Sequence, residues 1–279
     1  MRSSLGTEVR DRVRSLSPLR LPRGWRDAIL QVGLWGMADV LYEGVRGLVV
    51  GHGDVALANA QSIVSLERTL GFFWEPAIQQ SFLGHHSTLV AANWLYVNVQ
   101  FTVNAVFLAF IYAYRNHIFY FVRNMFFVAM AVALIVHLAV PVAPPRMLGQ
   151  LGFVDTIRQF AHINQDSGTV SLFVNPYAAV PSMHTCFALL VGVTAMRLTT
   201  NWWLRTAAVA YPALVIGVIL VTANHFIFDV LTGGLTAVLA AVVAHQVMAR
   251  VRPAAWGWPR VVATPTATTA AVATSLRTP

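Results

Sequence analysis

The sequence predicts an all-α membrane protein, a bundle of six transmembrane helices with amphipathic helices on its extracytoplasmic side. Of its 279 residues, 57% are hydrophobic and only 11% are charged, whereas soluble domains carry about 25% charged residues. The chain also contains several apolar windows of roughly 20 residues, the length that crosses about 30 Å of hydrocarbon. Together these observations favour a polytopic bundle over a soluble domain.

The apolar windows divide the chain into three parts. Residues 1–26 are an Arg-rich segment, 27–250 form one six-helix catalytic domain, and 251–279 are an Ala-, Thr- and Pro-rich tail that we expect to be disordered. The first span is the least regular, because it contains Asp39, Glu43 and Arg46. We predict the spans at residues 27–50, 88–114, 118–142, 182–199, 204–223 and 225–248.

The basic residues predict the orientation of the bundle. All 19 are arginines, and seven of them lie in the first 26 residues. With six spans and a cytoplasmic N-terminus, 15 arginines fall inside and three outside, which is the positive-inside bias. The net charge of +8 therefore indicates an anionic membrane surface rather than nucleic acid. We predict an inner (plasma) membrane protein with both termini in the cytoplasm.

The segment after the first span is amphipathic. Ile63, Leu66, Leu70 and Phe73 recur at helical spacing, and Pro76 begins a new element. We predict one or two helices lying on the outer membrane surface across residues 55–83. Either a lid over a site or an interfacial helix without a function would fit this pattern.

Three polar segments fall at the extracytoplasmic ends of predicted spans. "PPR" (144–146) follows the third span, "PSMH" (181–184) opens the fourth, and "NHFIFD" (224–229) opens the sixth. Ionisable groups at such positions are costly and mark functional sites by default. If the six spans are counted correctly, all three segments lie on one side of the membrane.

"PSMH" is typical of a helix N-terminus. Proline is favoured at the first helical position, so we expect Pro181 there. The N–H groups of Ser182, Met183 and His184 would then be free to bind an anion, because the helix dipole is positive at that end. His184 could face the same anion, or it could be an interfacial histidine without a function.

"NHFIFD" places an imidazole and a carboxylate on one helix face. His225 and Asp229 are four residues apart, so their side chains are neighbours. The carboxylate can fix the tautomer of the ring and leave its other nitrogen as a nucleophile or base. A purely structural ion pair or hydrogen bond would give the same spacing.

"PVAPPR" ends the third span. Three prolines in five residues cannot continue a helix, so Arg146 is expected on a rigid extended loop. The guanidinium suits bidentate phosphate binding, although an arginine touching lipid headgroups is the alternative. Taken together, an anion site, an oriented histidine, a second histidine and an arginine are the components of phosphoryl transfer through a phosphohistidine.

These segments resemble the three motifs of the type 2 phosphatidic acid phosphatase superfamily. "NPYAAVPSMH" (175–184) is similar to the second motif, "TANHFIFDVLTGG" (222–234) to the third and "PVAPPR" (141–146) to a shortened first. The likeness runs from about residue 30 to 248 and is greatest to the branch that includes inositol phosphorylceramide synthases. The chain departs from the lipid phosphatases in having no lysine, Ile219 in place of an arginine and Gln100 where relatives often have histidine.

The resemblance implies a role for each motif residue. His225 would attack phosphorus, Asp229 would orient it, and His184 would protonate the leaving oxygen. Arg146, Ser182 and Met183 would hold the phosphoryl oxygens, without a metal or other cofactor. Further candidates for lining the substrate are Asn224, Asn175, Glu43 and Arg46.

The implied substrate is a membrane lipid phosphate or phosphodiester, and the acceptor is water or a polyol such as inositol. A non-enzymatic or transport protein on the same scaffold is the alternative, with the charges of the first span lining a pathway. A metalloenzyme is disfavoured, because His85 and His86 are adjacent and no HExxH pattern occurs. His137 is expected to be a packed polar residue.

Overall fold

The computed structural model describes residues 21–47, 53–160 and 177–258. Within these ranges the chain is helical without strands, and its one isolated β-bridge joins Val142 and Ala178. The all-α prediction is confirmed. The helices are α1 Gly24–Gly47, α2 Gly53–Leu70, α3 Glu75–Leu83, α4 His86–Tyr114, α5 Asn116–Ala139, α6 Thr156–Phe160, α7 Met183–Leu198, α8 Trp202–Val221, α9 Ile227–Val243, α10 Ala249–Val251 and α11 Pro253–Trp256. The 3₁₀ turns Pro145–Met147 and Gly149–Leu151 follow α5, and a π-helical turn, Ala244–Met248, joins α9 to α10.

Four of the described helices are long and apolar enough to cross a membrane: α4, α5, α8 and the continuous segment Ile227–Val251. The predicted spans at 27–50 and 182–199 correspond to α1 and α7. The first of these carries several charged residues, and the second is apolar but has only 16 residues. The count of six spans therefore stays a prediction, as does the placement of any helix outside the membrane.

Helix α5 lies at the centre of the bundle. Of its most apolar stretch 67% is buried, against 11% of that of α4. Phe126 and the small residues Ala129 and Ala133 are completely buried on it, which lets neighbouring helices approach closely. Helix α1 is tied to the bundle by Asp27, whose carboxylate accepts hydrogen bonds from the hydroxyl groups of two tyrosines, Tyr112 at 2.9 Å and Tyr120 at 2.7 Å.

Two glycines permit close packing around α7. A Cβ atom at Gly192 would lie 2.5 Å from the carbonyl oxygen of Ala208 on α8. One at Gly233 on α9 would collide with the carbonyl oxygen of Ser182, the residue before α7. The backbones of α7 and α9 therefore meet where both helices carry their polar residues.

The amphipathic segment forms two helices, α2 and α3, and their break near Pro76 is as predicted. The predicted apolar positions of α2 do not all face the protein interior: Ile63 is buried, whereas Leu66 is 42% exposed and Leu70 60% exposed. The buried face instead consists of alanines, Ile63, Val64 and a glutamate, Glu67. It packs on the residues that follow α5 and precede α9.

Candidate active site

Main-chain hydrogen bonds bring the three polar segments together. The N–H of Arg146 donates to the carbonyl of Ala223 at 2.9 Å, and the N–H of Ser182 donates to the carbonyl of Asp229 at 3.1 Å. Ala223 has a φ of 50°, in the left-handed region, which costs a residue with a side chain about 1–3 kcal/mol. This strained turn places its carbonyl against the arginine loop and leads directly into the histidine of the third segment.

His225 and Asp229 form a buried pair at the start of α9. They do not share a helix face as predicted, because the helix begins at Ile227 and His225 precedes its N-cap. Nδ1 of His225 lies 3.1 Å from Oδ2 of Asp229. The same oxygen accepts the N–H of Phe226 at 2.9 Å, and the carboxylate is completely buried. A carboxylate at this position favours the tautomer with the ring proton on Nδ1, in which Nε2 carries the lone pair.

His184 lies beside this pair. Its ring stacks on Tyr96 of α4, with the centroids 4.5 Å apart, and its Nε2 is 3.4 Å from the Tyr96 carbonyl oxygen. The centroids of the His184 and His225 rings are 5.6 Å apart. A group bonded to one imidazole would therefore lie within reach of the other.

The start of α7 differs from the prediction. The helix begins at Met183 rather than Pro181, and Ser182 is its N-cap, with Oγ accepting the N–H of Thr185 at 3.3 Å. Because the Ser182 N–H is already bonded to Asp229, it is not open to an anion as expected. The positive potential expected at this end of the helix therefore comes from the first-turn N–H groups of Met183 and His184.

Arg146 is held in a 3₁₀ turn, Pro145–Met147, and not on an extended loop as predicted. Its buried guanidinium donates from Nε to Oδ1 of Asn224 at 2.9 Å and from Nη1 to Oδ2 of Asp155 at 3.1 Å. Asn224, predicted as a candidate substrate-lining residue, is buried and positions the arginine. Asp155 was not singled out from the sequence, although an aspartate before "TIRQF" is a typical helix N-cap, and its Oδ1 accepts the Arg158 N–H at 3.0 Å.

Two glutamates that the sequence analysis did not identify form hydrogen bonds with the first turn of α9. Glu75 Oε1 accepts the N–H of Ile227 at 2.7 Å, and Glu67 Oε1 accepts the N–H of Phe228 at 2.8 Å. Both glutamates are completely buried. Helices α2 and α3 are thus bonded to the first turn of α9.

A mainly apolar pocket opens next to His184. Its walls come from α4 and α8 and include Gln100 and Ile219, together with Leu95, Tyr96, Val99, Leu214, Val215 and Val218. The pocket is small, about 20 Å³, so it marks an apolar surface beside His184 rather than a preformed ligand cavity.

The structure does not describe the side chains of three other predicted residues. Asn175 falls outside the described residues, and so do the side chains of Glu43 and Arg46, whose backbone belongs to α1. His137 is buried on α5, with Nδ1 3.3 Å from the hydroxyl of Tyr42. It is packed, as expected from the sequence.

Comparison with known proteins gives one match. A family model described as the PAP2 superfamily matches residues 61–244, more than half of the chain. No curated protein and no solved structure matches. The matched range contains every residue of the histidine, aspartate and arginine cluster.

Proposed function

Because the chain belongs to the PAP2 superfamily, we propose that it is an integral membrane lipid phosphatase or phosphotransferase that works through a phosphohistidine. The observation that carries the proposal is the buried His225–Asp229 pair, 3.1 Å apart, with the ring of His184 beside it. The pair supplies an oriented nucleophile, and His184 supplies a group for proton transfer in the same site.

In the first step Nε2 of His225 attacks phosphorus and the bond from phosphorus to the leaving oxygen breaks. Protonated His184 gives its proton to that oxygen, which departs as an alcohol. The His225 ring becomes a phosphorylated imidazolium, which the Asp229 carboxylate stabilises through Nδ1–H. General acid catalysis of this type contributes about 10²–10⁴-fold.

In the second step an acceptor hydroxyl attacks the phosphohistidine. Neutral His184 now removes the proton of the acceptor, the bond from phosphorus to Nε2 breaks, and His225 returns to its neutral form. Arg146 and the first-turn N–H groups of Met183 and His184 provide positive potential for the phosphoryl oxygens. Every proton taken up in one step is released in the other.

The pocket beside His184 supports a lipid substrate. Its apolar walls are formed by α4 and α8, two of the helices that are long enough to cross a membrane. Gln100 and Ile219, the two positions that depart from the polar pattern of the lipid phosphatases, both line it. We propose that these departures reflect the inositol phosphorylceramide synthase-like branch, with a polyol such as inositol or water as the acceptor.

The arginine distribution supports a site on the extracytoplasmic face of the inner membrane. In this orientation the starts of α7 and α9 and the end of α5 face outward. Both termini would then lie in the cytoplasm, and α2 and α3 would cover the outer end of the bundle.

The decisive experiment is rapid-quench labelling of the purified protein with a lipid phosphate that carries labelled phosphorus. We expect an acid-labile, base-stable adduct on His225 that is absent from His225→Ala. The matched control is His117→Ala, which removes an exposed histidine at the second position of α5 and should retain the adduct. An adduct on His184 would reverse the two roles. Wild-type protein without turnover or adduct would contradict the enzyme assignment.

A further inference from the structure

The first turn of α9 has unusual capping partners. The first N–H groups of a helix have no partner inside it and are normally capped by residues just before it. Here only the Phe226 N–H has a local side-chain partner, Asp229. The Ile227 and Phe228 N–H groups are bonded to Glu75 and Glu67, which lie 152 and 161 positions earlier in the chain.

The two glutamates also lie against each other. Their Oε1 atoms accept the N–H groups of two consecutive residues, Ile227 and Phe228, and both side chains are completely buried. The second oxygen of each, Oε2, is buried and meets no hydrogen-bond donor in the part of the chain that the structure describes. Two adjoining buried carboxylates cannot both be ionised, but one proton between them satisfies both oxygens.

A proton fits this cluster better than a metal ion. Among the described residues no group of three or more His, Cys, Asp or Glu side chains is arranged to hold a metal. Burial, together with the nearby charges of Glu75 and Asp229, raises the pKa of Glu67 to about 9. At neutral pH Glu67 therefore carries the proton, while its Oε1 still accepts the Phe228 N–H at the positive end of the α9 dipole.

We propose that Glu67 and Glu75, sharing one proton, are positioning residues that hold the first turn of α9 and with it the His225–Asp229 pair. This inference rests on the proposed function, since it concerns the placement of the nucleophile. The two glutamates come from different helices, α2 and α3, so the pair fastens both helices over the site. Loss of the shared proton puts two like charges beside the carboxylate of Asp229 and loosens this contact.

Two substitutions at Glu67 separate the proton from the contact. Glu67→Gln keeps an oxygen for the Phe228 N–H and an N–H for Glu75, but it cannot ionise. We expect wild-type activity at pH 7 and a smaller decline than in wild type at pH 9–10, because deprotonation of the acid His184 lowers the activity of both enzymes but only the wild type also loses the shared proton. Glu67→Ala leaves the Phe228 N–H without its acceptor, and we expect kcat to fall about 10- to 100-fold through misplacement of the nucleophile, with little change in KM.

The matched control is Asp54→Asn, which removes a carboxylate from an exposed position of the same helix. It should leave kcat and its pH profile unchanged. A Glu67→Gln profile that declines with pH like the wild type would overturn the proposal. So would a Glu67→Ala enzyme with wild-type kcat.

Thermal unfolding in detergent tests the shared proton without any substrate. The ordinary pKa of a glutamate is 4.5, and that of Glu67 in the folded protein is about 9. Because the pKa of Glu67 is higher in the folded protein than in the unfolded chain, its proton stabilises the folded state. This stabilisation is complete below about pH 4.5 and is lost as the pH rises towards 9. Wild-type Tm should fall across this window, and the fall should be smaller in Glu67→Gln.

The two readouts distinguish the two proposals. Protein that turns over no lipid phosphate, yet shows the smaller fall of Tm in Glu67→Gln, would contradict the function and support the shared proton. An active enzyme whose pH dependence of both Tm and kcat is unaltered in Glu67→Gln would uphold the function and refute the positioning pair.

Discussion

Replacing Asp229 by asparagine tests how this residue serves the nucleophile. One carboxylate oxygen, Oδ2, accepts both the His225 ring and the Phe226 N–H, whereas Oδ1 meets no donor among the described residues. The amide oxygen of an asparagine can therefore accept both bonds, with its NH₂ group in the place of Oδ1. On this geometry Asp229→Asn keeps the tautomer of His225 and loses only the charge.

The magnitude follows from the two kinds of bond. A hydrogen bond to a charged group contributes about 1–2 kcal/mol more than one between neutral groups, which is a factor of about 5 to 30 in rate. Asp229→Ala also removes the acceptor that fixes the tautomer, and a histidine held in the wrong tautomer costs roughly 10⁴-fold. We therefore expect the asparagine variant to be far more active than the alanine variant.

The assay is kcat/KM for one lipid phosphate at pH 7, measured on both variants, on wild type and on His117→Ala. The helical circular dichroism and elution volume of each variant show that the protein is folded. The buried NH₂ group lowers the Tm of Asp229→Asn, because an unsatisfied donor costs about 1–3 kcal/mol. Equal activity of the two variants, both near 10⁻⁴ of wild type, would refute the single-oxygen geometry.

Three further variants test the site. His184→Ala should reduce turnover of a lipid phosphate by about 10²–10⁴-fold but spare an aryl phosphate, whose leaving group needs little protonation; equal losses would contradict its role as the acid. Gly233→Ala should lower both Tm and kcat, because its methyl group displaces the Ser182 carbonyl and shifts His184 relative to His225; wild-type kcat would show that this spacing is not critical. Arg146→Lys keeps the charge but not the planar fork, so we expect KM to rise about tenfold or more, and an unchanged KM would exclude the arginine from substrate binding.

The features that the sequence predicted well are local. Apolar windows located α4, α5, α8 and α9 to within a few residues, because the period and length of a helix are visible along the chain. The His225–Asp229 contact was predicted from the spacing of four residues, but only Asp229 belongs to α9, and His225 precedes its N-cap, Phe226. Arg146 was correctly expected near these residues, although its 3₁₀ turn was not.

The features that were missed depend on tertiary contacts. The hydrogen bond from Ser182 to Asp229 joins two helix starts, and no local pattern reveals that its N–H is occupied. Glu67 lies four residues after Ile63 and on the same helix face, which was a sign that a carboxylate would be buried. Its partner, the Phe228 N–H, is 161 positions away, so the sequence could not show what the carboxylate binds.

In the proposed mechanism, the geometry of the reacting groups and the choice of substrate depend on different parts of the structure. The distance between the two histidines depends on the Ser182–Asp229 backbone bond and on the absence of a side chain at Gly233. The pocket walls come from side chains of α4 and α8, which make neither contact. Tyr96 is the exception among the wall residues, because it stacks on His184. Mutations at the other wall positions can change which lipids are accepted while the reacting groups keep their geometry, so a library restricted to those positions is the route to new substrate preferences.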